Sequence, residues 1–411
     1  MMGERRYRLK MMGVFVGVLG IGVMGVWGDW LGFRGPNGGG VALEAVEGMP
    51  VKLDGEVAWD VALPGRGLSS PVIVGDRVFV TAASGPQQEE LHVLCFDAGD
   101  GAKLWERRFW ASGRTMSHKK TCVAAPTPVS DGERVYALFS SNDLVCLDLE
   151  GNLVWLRGLM VDYPNASNSL GLATSPVIAG DTLVVQIEND SDSFAAGIDL
   201  ATGENKWRTA RTKKANWSSP VVMREGESGE ERVVLQGSQG VTAVHPDTGV
   251  VEWVFEEGAA TIPSSGVGAS GEVIYVPSNG LAALQRGPEG NTAQTIWQAS
   301  ELRPGTASPI EKDGKVYIVN NLGVLTCADA ATGERLWRVR LKGPFSGSPV
   351  AAGDHLYFFN ERGIGQVVDL SGEEGAVVGE VELGETILGT AAIADGGVFV
   401  RSDGRLWRFG D

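Results

Sequence analysis

The side chains able to carry acid–base, nucleophilic or metal chemistry are scattered along this chain rather than grouped. His118 is followed by Lys119 and Lys120. A histidine works as a general base beside a nucleophile and an orienting carboxylate, and none stands at a diagnostic spacing from it. Asp190 and Asp192, in IENDSDSF, offer oxygen ligands. Their segment lacks the ligand spacing and closing glutamate of a calcium loop. Cys95, Cys122, Cys146 and Cys327 have no histidine or cysteine partner at a zinc-site spacing. What remains is a set of cations and amides in turn-rich segments: Arg66, His118, Lys119, Lys120, Asn168, Lys213, Lys214, Asn216 and Arg303, with Trp217 among them. Such a set suits holding an anion rather than breaking a bond. Solvated loop charge plus a packed indole is the competing reading.

The elements that must position these loops repeat. Ser69–Trp105 holds a Ser-Pro, a short apolar run, a Gly-Asp turn, an alternating run through Val78 and Val80, a second apolar run to Asp97 and a turn closed by Trp105. Short apolar runs bounded by Gly, Asp or Pro are strands, and runs this close leave room only for tight turns. The stretch is therefore one small antiparallel sheet. Its opening recurs at Thr127, Ser175, Ser219, Ser265, Ser308, Ser348 and Ala391. Its closing tryptophan recurs at Trp155, Trp207, Trp253, Trp297 and Trp337, at a spacing of roughly 40–50 residues that fits four-stranded propeller blades.

The tryptophans need no ligand to explain them. Each follows a turn such as Asp97/Gly101/Trp105 or Asp329/Gly333/Trp337, in which the glycine permits a positive φ and the aspartate bonds turn amides. An indole buried between blades hides about 150–250 Å² and welds one sheet to the next. Cys95, Cys146 and Cys327 occupy one repeat position that elsewhere holds Gly197 or Ala243, so they are expected as small, buried, unpaired thiols. Val57–Leu63, with Trp59 in the closing position, reads as the last strand of a blade whose other three strands lie after Thr390. The expected fold is therefore all-β: an eight-bladed propeller closed by an N-terminal strand, which abolishes the open sheet edge.

A closed repeat array accommodates 411 residues as one unit, and 58 glycines without collagen periodicity suit a protein made of turns. The formal charge of −16 argues against nucleic acid or an anionic membrane surface as the main partner. Residues 1–28 carry basic side chains before a charge-free apolar run, the pattern of a signal peptide; an uncleaved anchor over residues 11–28 is the alternative. Residues 29–56 form a turn-rich lead-in, expected as a loop laid over the propeller, and residues 57–411 form the single propeller domain.

CFDAGDGAKLW, GIDLATGENKW, AVHPDTGVVEW and CADAATGERLW resemble the docking repeat of the quinoprotein-like (PQQ-like) eight-bladed β-propellers. DWLGFRGPNGGG and LVCLDLEGNLVW are similar to a secreted bacterial branch of them without an assigned enzyme activity. Blade five departs from the motif, with Gln285 and a longer turn before Trp297, and blade seven has no tryptophan. The resemblance implies one of two functions. Some relatives are dehydrogenases that hold pyrroloquinoline quinone and calcium over the channel with acidic and amide side chains and an aspartate base. Others are periplasmic propellers that bind protein partners through loops without a cofactor. No adjacent cysteine pair of the alcohol dehydrogenases occurs here, and little chain lies outside the blades. The expectation is thus an exported, monomeric, non-catalytic propeller in the periplasm or cell envelope. It binds a protein or a small anionic ligand at the channel mouth through Arg66, His118, Lys120, Asn168, Lys214, Asn216, Trp217 and Arg303, and no metal. A PQQ- and calcium-dependent oxidoreductase with a degenerate site is the alternative.

Overall fold

The computed structural model describes residues 28–42, 48–167, 170–226 and 228–410. The predicted leader lies outside these residues except for Gly28. Among the described residues no helix is long and apolar enough to cross a membrane. The strands form eight separate four-stranded antiparallel sheets, seven of them meanders from the channel outward. Neighbouring innermost strands touch around the ring. This is the eight-bladed propeller.

The eighth blade is completed as expected. Val57–Ala62 pairs antiparallel with Arg405–Phe409, with Asp60 opposite Trp407 and Ala62 opposite Arg405. The ends of the sequence are thus stitched into one sheet, and Arg405 adds an ion pair to Asp60.

Blade contacts explain the repeat motif. In six blades the tryptophan lies directly opposite the small residue of the neighbouring strand: Cys95/Trp105, Cys146/Trp155, Gly197/Trp207, Ala243/Trp253, Ala283/Trp297 and Cys327/Trp337. The size limit follows from contact, since a Cβ on Gly197 would come within 2.1 Å of the Trp207 Nε1. All four cysteines are free and buried, and burial pushes the Cys95, Cys122 and Cys146 thiols up to about 12 and Cys327 up to about 11, which leaves them unreactive.

Five of the closing indoles then reach into the next blade. Trp59, Trp105, Trp155, Trp207 and Trp297 donate Nε1–H to the carbonyls of Ala98, Leu149, Leu200, Pro246 and Ala330, at 2.6–3.0 Å. The motif glycine of that next blade lies flat on the same ring. Gly333 has a φ of +73°, and a Cβ there would approach Trp297 to 2.5 Å. Gly333→Ala is therefore expected to cost roughly 2–4 kcal/mol, adding ring overpacking to left-handed strain. Gly314→Ala, at φ +71° with nothing within 4 Å, carries the strain alone. Equal urea midpoints for the two variants would remove the contact term.

The two departures from the motif have separate causes. Blade five offers no motif carbonyl, so Trp253 donates instead to Glu225 Oε1 of its own blade at 2.7 Å, and Arg286 of blade five holds the other oxygen at 2.8 Å. In blade seven Gly379 occupies the tryptophan position, opposite Val367. The lead-in fills the gap: Leu53 bridges to Glu380 and is fully buried, while Val51 and Lys52 cover Gly379.

The lead-in also departs from the expectation of a loop laid over the propeller. It enters the channel because its backbone finds partners on the innermost strands. Trp30 exchanges two 3.0 Å bonds with Ile73, the Leu31 carbonyl accepts from Ser130, and Gly40 and Ala42 bond Ala351 on the far side. Gly38 meets Val221 between them. Arg34, fully buried, donates to the carbonyls of Ser265, Pro309 and Gly39, so its charge is solvated by backbone dipoles rather than a carboxylate. Burial lowers its pKa to about 10. Residues 28–42 thus plug the channel.

Candidate functional site

Above the plug, where the innermost strands begin, eight hydroxyls ring the channel: Ser70, Thr127, Ser175, Ser219, Ser264, Ser308, Ser348 and Thr390. They recur because one position of each blade entry has the same task. The backbone N–H at each of the first seven donates to the hydroxyl of the next blade, from Ser70 to Thr127 at 2.9 Å and onward to Ser348 and Thr390 at 2.9 Å. At the seam between blades eight and one, the Ser70 hydroxyl is buried and has no hydrogen-bond partner among the described residues. This ring edges a cavity of about 370 Å³, floored by Phe33 of the plug and walled by Leu68, Leu170, Trp217, Ile262 and Leu388.

The long connection between blades one and two is a strap across this mouth. The His118 N–H donates to the Leu170 carbonyl beyond blade two, while Lys120 reaches Glu361 of blade seven at 2.8 Å. Thr121 and Lys119 lend carbonyls to Arg66, whose Nε also grips Asp403 of blade eight at 3.1 Å.

The predicted site residues therefore divide. His118, Lys120 and Trp217 line the cavity, and Trp217 Nε1 is tied to the Gly171 carbonyl at 2.9 Å. Arg66 is a seam clamp beside it. Asn216 is buried and spent on the Gln236 carbonyl, and Arg303 turns back to the Ser300 carbonyl. Lys213 and Lys214 are exposed and lie outside the cavity lining, as does Lys119, and Asn168 falls outside the described residues. The expected cationic ring is not assembled, because its strongest members are committed to Glu361 and Asp403.

The donor set does not fit calcium with pyrroloquinoline quinone. None of the described residues lining the cavity is a carboxylate or a side-chain amide. No group of three or more metal-ligating side chains occurs among the described residues. A hard dication needs oxygen ligands that these hydroxyls and apolar walls do not supply.

One chemical cluster escaped the sequence reading. On blade one, Ser84 Oγ lies 2.8 Å from His92 Nε2, and His92 Nδ1 lies 2.9 Å from Glu106 Oε1. Burial raises the Glu106 pKa, but bonds from Lys103, His92 and Arg108 outweigh it and hold the carboxyl at about 2. The order is that of a hydrolytic triad, yet Glu90 Oε2 sits 3.2 Å from the same Ser84 oxygen. An oxyanion forming there would face a carboxylate instead of donors, so the cluster ties strands together. The three residues are spread over three strands, which leaves no motif to find.

The family described as outer membrane protein assembly factor BamB, PQQ_2, matches residues 30–209, 166–265 and 279–377. The chain belongs to this family. The outer membrane protein assembly factor BamB of Burkholderia pseudomallei is 25% identical over 375 residues, spanning 87% of this chain and 88% of its own. A polyvinylalcohol dehydrogenase of a Pseudomonas species is 24% identical over 244 residues, spanning 48% of this chain but only 36% of the dehydrogenase. A europium-containing methanol dehydrogenase superposes with a TM-score of 0.72 at 13% identity, over 93% of this chain and 98% of that one. At that identity the likeness speaks for the propeller alone.

Proposed function

We propose that this protein is an exported, non-catalytic propeller that docks a protein partner on its channel-mouth face. The observation carrying this reading is the apolar decoration of that face. Trp110 at a strand end, Val161 in the short helix Leu159–Asp162 and Leu322 in a turn stand 71%, 73% and 71% exposed on the mouth side, and Met116, Leu170 and Ile262 are exposed nearer the cavity. Large side chains left in water around a rim mark a surface that meets another protein. The BamB relative, named an outer membrane assembly factor, supports a partner in that machinery over a dehydrogenase role.

Site-specific photocrosslinking in the native host tests the proposal. A photoreactive residue at Met116 or Leu322 is expected to capture one defined outer-membrane assembly component. The same group at Leu336, on an outer strand, is expected to capture none. Equal labelling from both positions overturns the proposal, as does saturable uptake of pyrroloquinoline quinone with calcium accompanied by dye-linked alcohol oxidation.

A further inference from the structure

The rim of blades six and seven carries cations that the molecule's own carboxylates leave alone. The chain has 51 acidic side chains to 35 lysines and arginines, so carboxylates are not in short supply. On other blades the outer-strand cations use them: Arg108 is paired with Glu106, Lys206 with Asp247 and Arg208 with Asp192. Arg303, Arg340 and Arg362 are exposed and have no ion pair among the described residues. Arg303 and Arg362 each spend a nitrogen on a backbone carbonyl, of Ser300 at 2.8 Å and of Gly343 at 2.6 Å. The nearby carboxylates do not serve them. Glu361 is held by Lys120 and Ser346, Glu380 by Lys342, and Glu301 stands exposed with no ion pair among the described residues.

Backbone contacts gather these arginines onto adjoining turns around one apolar side chain. The loop after Arg303 packs on the turn between the second and third strands of blade six, where a Cβ on Gly305 would come within 2.5 Å of the Asn321 side-chain oxygen. That turn holds the exposed Leu322, and its Gly323 carbonyl accepts the N–H of Leu341, next to Arg340. Gly343, two residues on, is the residue that Arg362 of blade seven bonds. A guanidinium presents a fork of donors that matches a carboxylate, and most of the donors here are unspent. Arginine is also enriched at protein interfaces, where lysine is depleted.

We propose that this part of the mouth face takes an acidic segment of the docked protein, with carboxylates on Arg303, Arg340 and Arg362 and a large apolar side chain against Leu322. The inference rests on the docking of a protein at the mouth and names the chemistry of the segment that docks. A basic segment would meet three like charges. The overall charge of −16 opposes an acidic partner at a distance, but salt screens it over about 8 Å, whereas pairs desolvated at contact are screened much less. Local charge therefore decides.

Fluorescence anisotropy on the purified protein tests this with a labelled Glu-Asp-Leu-Glu-Asp peptide and its Gln-Asn-Leu-Gln-Asn counterpart. The acidic peptide is expected to bind saturably and the amide counterpart at least tenfold more weakly. Arg340→Gln and Arg362→Gln should each weaken the acidic peptide about threefold, the worth of an exposed ion pair, and together about tenfold. Arg335→Gln, at the far end of the same outer strand as Arg340, should leave it unchanged. In the native host the double variant should lose the crosslink from Leu322 and keep that from Met116. The inference is overturned by absent saturation, by equal binding of the two peptides, by arginine variants that bind as the parent does, or by an equal loss from Arg335→Gln. Capture from Met116 and Leu322 that survives the double variant counts against the acidic segment alone. No capture from either position in the unaltered protein counts against the docking proposal.

Discussion

A chain from which residues 29–62 have been deleted is expected to be recovered as aggregate or oligomer. The truncation removes three large buried side chains, Trp30, Leu53 and Trp59. At about 3–5 kcal/mol each they rival the whole stability of a typical domain, about 5–15 kcal/mol. It also leaves Arg405–Phe409 as an unpaired edge, and an exposed edge pairs with whatever strand it meets. Light scattering after size exclusion reads the outcome. Adding a synthetic peptide of residues 28–63 should restore a monomer, because the pairing and the plug are both non-covalent. A truncated chain that is monomeric and melts with the full one would refute ring closure as the source of stability.

The second large effect is expected at Trp253. It is fully buried, whereas the docking indoles of Trp59, Trp207 and Trp337 retain 8–9% exposure. Trp253→Ala should cost about 3–5 kcal/mol in packing. It also takes a donor from Glu225, a buried carboxylate that then depends on Arg286 and Arg232. With an unfolding entropy near 2.1 cal/mol/K per residue, that loss corresponds to roughly 4–6 °C in Tm. Trp155→Ala, at a half-buried ring, should shift Tm less. The reverse order in a melting series would mean that blade five is docked by something other than this indole.

Much of this was legible in the sequence because the fold is local and periodic. A tryptophan that must lie on the next blade's glycine recurs with every blade, and the short C-terminal blade announces its missing strand. Three of the four thiols, Cys95, Cys146 and Cys327, were legible for the same reason, since each faces an indole. What stayed hidden depends on contacts between residues far apart in sequence. Lys120 reads as a free cation until Glu361 is beside it, and Arg66 until Asp403 is. The lead-in, having no period, gave no sign that its amides would find Ile73 and Ala351 inside the ring. The hydroxyls were visible as the Ser-Pro openings, but their bonds run between blades. The unsatisfied member at the seam follows from three-dimensional closure alone.

The strand that closes the ring comes from one end of the chain and its partner from the other, with Ala62 opposite Arg405. During synthesis the first of these emerges long before the second exists. Every blade in between can form while that early strand waits, its Trp59 able to reach Ala98 of blade one but its amides without Arg405–Phe409 to pair with. The molecule thus has an intrinsic delay: the part made earliest is the part used last, and the interval is one in which a chaperone or a neighbouring nascent chain can capture it.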